Sequence, residues 1–274
     1  MTIDTLIVGA GFSGLGMAMQ LRKAGMESFL VIEKSEGLGG TWWENRYPGC
    51  ACDIPSHLYS FSFDLNPNWS RMFAGWKEIR EYLEQSTDRH GIREKIRFKT
   101  ALREARWDEE AGLWHASLSD GSTIDARAIV SGMGALHVPH YPEIEGLDRF
   151  EGPQFHSATW DPAVDLEGKN IAVIGTGASS IQFVPQISPV AAKLTLFQRT
   201  APWILPKLDH PIQERWRRRF ARIPGLMRLF RTFLFWGLEI RVLGFLKKGF
   251  FRAQGEKMSI GGSGIAVAEI VAEV

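Results

Sequence analysis

Apolar and polar positions along the chain follow two different periods, and the changes between them mark out its elements. Residues Asp4 to Val8 are a short apolar run that reads as a strand, ending in Gly9-Ala10-Gly11-Phe12-Ser13-Gly14. Helical spacing from Leu15 to Ala24 follows, with Gly25 as the stop signal, and Phe29 to Ile32 is a second apolar strand ending at Glu33. From Leu102 to Ser131 the period shortens to alternation, with turns at Glu110-Ala111-Gly112 and Asp120-Gly121. This predicts a three-stranded antiparallel meander returning into the apolar strand Ala128 to Val130. The first cycle then repeats: a strand over Asn170 to Ile174, the turn Gly175-Thr176-Gly177-Ala178-Ser179-Ser180, a helix to about Ile187, and a strand over Leu194 to Phe197. Pro224 can open a further helix, in which Leu226, Met227, Phe230, Phe233, Leu234, Gly237 and Leu238 share one face and Arg228, Arg231 and Glu239 lie opposite.

Strand, glycine-rich turn, helix and strand in this order form a dinucleotide-binding unit, and the chain carries it twice. In the first copy Gly9 permits the tight turn, Gly11 lets backbone N–H groups approach a pyrophosphate at the helix N-terminus, and Gly14 lets helix and strand pack closely. Glu33, 19 positions after Gly14, is placed to bind ribose hydroxyls. In the second copy Ser180 replaces the third glycine, so helix and strand are expected to sit slightly farther apart. The second strand ends at Gln198-Arg199-Thr200 with no carboxylate, and an arginine there accommodates a 2'-phosphate. The first site therefore suits FAD or NAD and the second NADP. Arg199 as a solvated strand-end cation is the plain alternative.

Composition supports an ordinary globular α/β chain: 274 residues, 45% hydrophobic, 23% charged, with 10 Trp and 17 Phe for a core. Cys50 and Cys52 are too close in sequence for an ordinary bridge and too few for a zinc site, so no metal is expected and a reducing cytoplasm fits best. The N-terminus has no basic region before its apolar run and reads as a strand rather than a signal peptide. Net charge is +1, yet residues 211–252 hold eleven Lys or Arg against two Glu. A membrane-surface contact through this segment stays open beside a helix packing on its own protein. The longest uncharged stretch there, Thr232 to Leu238, is too short to span a bilayer. Trp216-Arg217-Arg218-Arg219 reads as a solvated face, and nucleic-acid binding has no supporting motif.

Two further stretches carry a family resemblance. Gly39-Gly40-Thr41-Trp42-Trp43-Glu44-Asn45-Arg46-Tyr47-Pro48-Gly49-Cys50-Ala51-Cys52-Asp53 resembles the Gly-Gly-x-Trp to Tyr-Pro-Gly-x-x-x-Asp motif of Baeyer–Villiger monooxygenases, relatives of the flavin-containing monooxygenases. Phe150-Glu151-Gly152-Pro153-Gln154-Phe155-His156-Ser157-Ala158-Thr159-Trp160-Asp161 is similar to that family's Phe-x-Gly-x-x-x-His-x-x-x-Trp fingerprint, and Ser131-Gly132-Met133-Gly134 resembles its Ala-Thr-Gly segment. The resemblance implies that NADPH reduces FAD, that reduced flavin activates dioxygen, and that one oxygen is inserted beside a carbonyl to give an ester or lactone. It places Gly40, Thr41, Trp42, Asp53 and Tyr59 beside the flavin. His156, with Trp160, would couple the two nucleotide domains during oxygenation. Core aromatics at Trp42 and Trp160 and a loop cap at Asp53 are the structural alternatives.

The implied organisation is an FAD-binding domain over 1–145, the first half of an NADP-binding domain over 146–206, a partial helical insertion over 207–252 and an atypical tail over 253–274. The tail from Ser259 to Val274 does not resemble the family's next segment, so a truncated or frameshifted end is expected, with weak flavin retention and no turnover. An N- or S-oxygenating flavin monooxygenase is the enzymatic alternative. A catalytically inactive cofactor-binding remnant, or an interaction fragment using 211–252, is the non-enzymatic one.

Overall fold

The computed structural model describes residues 2–199 and 207–246, with side chains as far as residue 240. The chain divides into two compact units, each discontinuous in sequence: Met1–Arg46 with Trp76–Trp160, and Tyr47–Gly75 with Asp161–Val274.

The first unit is built on strand β1 (Thr2–Val8), helix α1 (Phe12–Lys23), strand β2 (Phe29–Ile32), the short helix α2 (Thr41–Glu44), helix α3 (Trp76–Arg89) and strands β3 (Ile96–Arg97), β4 (Leu102–Asp108), β5 (Leu113–Leu118) and β6 (Thr123–Ser131). Its six strands lie in the order β3-β2-β1-β6-β5-β4. Strands β3, β2, β1 and β6 are parallel, as a strand–helix–strand crossover requires. The meander β4-β5-β6 is antiparallel, and β6 serves both parts: Thr123 to Ala126 pair with β5, and Asp125 to Ser131 pair with β1. Both expected turns close this meander. Ile3, Leu6, Val8 and Ile32 pack with Ala116, Leu118, Ile124 and Ala126 in one buried cluster. On the helices, Leu15, Ala18 and Met19 of α1 and Ile79 and Leu83 of α3 are buried, and Phe12 stacks on Tyr82 at 6.2 Å. Neither α3 nor β3 was expected from the pattern. The charged and polar majority of α3 masks its one apolar face, and β3 is only two residues long.

The second unit repeats the crossover with β7 (Asn170–Ile174), α4 (Ala178–Ile187) and β8 (Lys193–Phe197), the strands pairing in parallel from Asn170↔Lys193 to Ile174↔Phe197. Helices α5 (Glu214–Arg222) and α6 (Leu226–Leu246) follow. Residues 70–73 run against 209–212: Met72 N donates to His210 O, Ile212 N donates to Ser70 O, and Arg71 pairs with Asp209 at 2.8 Å. The expected face of α6 needs correction. Phe233 is 71% exposed, whereas Arg231 turns inward and donates from Nη1 to His57 O at 2.9 Å and Ser60 Oγ at 3.1 Å. Arg231 brings a charge-assisted donor to two acceptors, Ser60 Oγ and His57 O, that otherwise bond each other at 3.3 Å. The tail 253–274 and Thr200 lie outside the described residues.

Candidate functional site

The two glycine-rich turns have the same local architecture. Gly9 and Gly175 both adopt φ of +100°, and each N–H donates to the end of the neighbouring strand: Gly9 N to Ile32 O at 2.8 Å, Gly175 N to Phe197 O at 2.9 Å. Gly11 and Gly177 are the N-caps of α1 and α4 in extended conformation, without a side-chain cap, and neither first turn contains an acidic residue. The first backbone bonds of the helices run from Leu15 N to Gly11 O and from Ile181 N to Gly177 O. The N–H groups of Ser13 and Gly14, and of Ala178 to Ser180, precede those bonds, the helix-start arrangement that attracts an anion.

The third position separates the copies. A Cβ on Gly14 would fall deep inside the van der Waals envelope of Gly9 O and 3.0 Å from its carbonyl carbon, so only glycine fits. Ser180 keeps the second loop together by chemistry instead: its hydroxyl donates to Gly175 O at 2.7 Å.

The surroundings differ as well. The first loop is enclosed by backbone. Gly132 N donates to Val8 O, a Cβ on Gly9 would lie 2.7 Å from Gly132 O, and Gly39 N donates to Ala10 O at 2.9 Å. Gly40, at φ +55°, faces Gly11 so closely that a Cβ on Gly40 would meet Gly11 Cα at 3.1 Å. Gly40 in turn caps α2, which buries Trp42 and leaves Thr41 exposed. The Ser131-Gly132 and Gly39-Gly40 stretches thus shape the first loop through the same absence of side chains. In the second loop a Cβ on Gly175 or Gly177 would meet nothing within 4 Å.

Glu33 is only 6% exposed, and its carboxylate accepts from Ala10 N at 2.7 Å and Ser35 N at 2.9 Å. Two of roughly four lone-pair positions on that carboxylate remain for ribose hydroxyls. Gly9 to Gly14, Glu33, Gly40, Thr41 and Trp42 are therefore assembled in the first unit, and they fit a dinucleotide whose pyrophosphate lies on α1.

Gly175 to Ser180 and Arg199 are assembled in the second unit, with Arg199 exposed just beyond β8. Asp53 and Tyr59 also belong to the second unit, Asp53 exposed and Tyr59 half-buried. His156 and Trp160 end the first unit. His156 Nδ1 accepts from Ala158 N at 3.1 Å and so caps a short helical turn at 157–159, which leaves Nε2 as the ring's N–H donor. Its ring lies edge-on to Tyr141 at 5.8 Å, and Trp160 packs edge-on against Phe155 at 5.2 Å.

Several residues outside the sequence expectations matter here. Trp43 is held between Arg46 and Arg80, with guanidinium carbons 4.5 and 4.6 Å from its ring centre, which fixes α2 beside the first loop. Tyr47 and Gln182 join the Tyr-Pro-Gly stretch to α4, and only Tyr47 carried a motif signal. His57 is buried, with no hydrogen-bond partner for either ring nitrogen among the described residues, its ring 4.8 Å from Phe220 and 5.3 Å from Phe230. Desolvation lowers its pKa to about 4, so the ring is neutral. Cys50 and Cys52 are free and buried, and burial pushes both thiols up to about 11, which makes them poor nucleophiles.

Comparison with known proteins agrees with this geometry. Residues 7–76 match the NAD(P)-binding Rossmann-like domain family. A Baeyer–Villiger monooxygenase of Pseudomonas aeruginosa is 54% identical over 239 residues, covering 87% of this chain and 45% of the relative. The closed crystal structure of a cyclohexanone monooxygenase aligns with a TM-score of 0.75 at 33% identity, covering 81% of this chain and 43% of that one. A protein named OTEMO, in complex with FAD and NADP, aligns with a TM-score of 0.73 at 34% identity, covering 80% and 44%. The chain spans less than half the length of the curated relatives it matches.

Proposed function

Because this chain is related in sequence and fold to the Baeyer–Villiger monooxygenases over the part it spans, we propose that it supplies the FAD- and NADPH-binding loops of such an enzyme, acting on a small carbonyl substrate. The observation that carries this reading is the duplicated loop with unlike strand ends: the buried carboxylate of Glu33 after β2 and the exposed guanidinium of Arg199 after β8. A carboxylate binds ribose hydroxyls and repels a 2'-phosphate, whereas an arginine attracts one.

In this reading α1 and Gly9 to Gly14 hold the FAD pyrophosphate, Glu33 holds its ribose, and Gly40, Thr41 and Trp42 wall the site. Gly175 to Ser180 receive the NADP pyrophosphate, and Arg199 with Thr200 its 2'-phosphate. Asp53, Tyr59, His156 and Trp160 serve the reacting end. Residues 1–145 belong to the FAD domain, 146–206 to the NADP domain and 207–252 to a helical insertion, in a cytoplasmic protein. Bound flavin, reduced by NADPH, supplies the oxygen chemistry. The chain's own work is orientation: two N-terminal helix dipoles hold the two pyrophosphates, and His156, with Nδ1 occupied as an acceptor, offers Nε2–H as a donor.

The experiment is titration of the full chain with FAD and NADP+, separately and together. The reading predicts two independent saturable sites, with NADP+ bound more tightly than NAD+. Mutual displacement at one site, or no saturable FAD binding, refutes it. Ester formation from a ketone, coupled to NADPH consumption, is then the assay for the enzyme to which this chain belongs.

A further inference from the structure

The Tyr-Pro-Gly stretch has contacts in the second unit that its assignment beside the flavin leaves unexplained. Ala51 N donates to Gln182 Oε1 at 2.7 Å, while Gln182 Nε2 donates to Ala178 O, in the first turn of α4, at 3.1 Å. The Tyr47 ring packs edge-on against Phe183 at 6.0 Å, and its hydroxyl reaches the Ser179 side chain. Gly49 adopts φ +76° against the helix, where a Cβ would lie 2.8 Å from Gln182 O and 2.9 Å from Gln186 Cγ. Ser179, Gln182, Phe183 and Gln186 follow i, i+3, i+4, i+7 spacing, so the segment lies along a single face of α4. Its far side is tied down too: Cys52 N donates to Ala74 O at 2.9 Å, and Ala51 bridges Gly75.

The two phosphate loops thus owe their orientation to different things. Glycine backbones at Gly40 and Gly132 enclose the first, while among the described residues none outside the loop and its own helix comes within 4 Å of where a Cβ on Gly175 or Gly177 would be. As at α1, the start of α4 has no side-chain cap. We propose that residues 47–53 are a positioning strap for the second phosphate loop, in which Tyr47 and Gln182 hold the first turn of α4 in the orientation that receives a dinucleotide pyrophosphate. One segment then sets both that loop and the backbone leading to Asp53. Burial pushes the Tyr47 phenol up to about 12, so its hydroxyl keeps its proton throughout the neutral range. Pre-ordering the loop spares the ordering cost at the moment of binding.

This inference rests on the two-cofactor reading, and its test separates the two. In the full chain Tyr47→Phe keeps the ring and removes the hydroxyl, and Gln182→Met keeps the length and removes both amide bonds. For each variant NADP+ affinity, FAD content, thermal midpoint without nucleotide, and amide exchange over residues 178–182 are measured. The strap predicts about 3- to 10-fold weaker NADP+ binding, the scale of one lost hydrogen bond. FAD content stays at the parental value, the thermal midpoint falls by no more than the few degrees that the lost hydrogen bonds cost, and exchange over 178–182 is faster. Parental NADP+ affinity overturns it, as does a parallel fall of FAD content, midpoint and NADP+ affinity, which would mark a merely structural role. If the parent itself binds no NADP+, the functional reading fails; faster exchange at 178–182 then still supports the strap, and unchanged exchange refutes it.

Discussion

Gly11 and Gly14 occupy one loop for different reasons, and paired alanine substitutions separate them. At Gly14 the added methyl meets the Gly9 carbonyl, its O inside van der Waals range and its C at 3.0 Å, and then the Ile7 side chain, with Cγ2 at 3.3 Å. Carbonyl backbone cannot swing away as a side chain can. The start of α1 must therefore retreat by more than about 1 Å to restore the roughly 3.5 Å separation of non-bonded atoms. Overpacking of this kind costs about 1–3 kcal/mol, and the better helix propensity of alanine returns at most about 1 kcal/mol. At Gly11 the nearest atom is Gly40 Cα at 3.6 Å, an ordinary contact, and the extended φ of −87° suits any residue. Gly11→Ala should therefore change stability by less than about 1 kcal/mol. In the bound state, however, its methyl stands where phosphate oxygens approach the N–H groups of α1. Loss of one charge-assisted bond weakens FAD by about 10- to 100-fold. Thermal unfolding of the flavin-free proteins and titration with FAD are the assays. Gly14→Ala should melt roughly 3–10 °C lower, while Gly11→Ala should melt like the parent and bind FAD poorly. A Gly11→Ala protein with parental flavin affinity, or a Gly14→Ala protein with parental stability, refutes the division of labour.

Three other outcomes follow from particular residues. Arg199→Ala should weaken NADP+ by about 1.5–3 kcal/mol through the lost 2'-phosphate contact and leave NAD+ nearly unchanged; equal losses for both would remove Arg199 from the site. His57 has a folded pKa of about 4, below its unfolded value of 6.5, so only the unfolded chain takes up its proton between them. The stability it contributes is full above pH 6.5 and is lost as pH falls toward 4, by about 3 kcal/mol in all at 1.36 kcal/mol per unit. Urea midpoints should follow that window and flatten in His57→Phe, since Phe220 and Phe230 face the ring and the nearby Arg231 guanidinium is bonded to the His57 carbonyl. The exposed His115, raised by Asp125 and Asp108, works in the opposite sense: its contribution is present at low pH and is lost as pH rises through its raised value. Arg231→Met should destabilise the second unit by about 1–2 kcal/mol, read by denaturant unfolding, because His57 O and Ser60 Oγ lose a charged donor.

Local pattern alone determined the elements whose signals lie within a few residues of one another. Both glycine turns, the four crossover strands, the meander and its two turns could be read from period and turn chemistry, because the positive φ at Gly9 and Gly175 calls for glycine at those positions. The unlike strand ends at Glu33 and Arg199 were legible for the same reason. Tertiary structure decided whatever depends on residues far apart in sequence. No local signal makes Gln182 a partner of Ala51, 131 positions away, or turns Arg231 toward His57 rather than toward water. The apolar period of α6 placed Phe233 inward, and it is exposed, while Leu226, Met227, Phe230, Leu234 and Leu238 of the same face are half-buried. Helix α3 was not legible because a mostly polar helix reveals its buried stripe only once its neighbours, here α1 and α2, lie against it. Ser180 shows both levels at once: its departure from glycine is visible in sequence, but only the folded loop brings Gly175 O to its hydroxyl, where a hydrogen bond replaces the close packing that Gly14 makes possible.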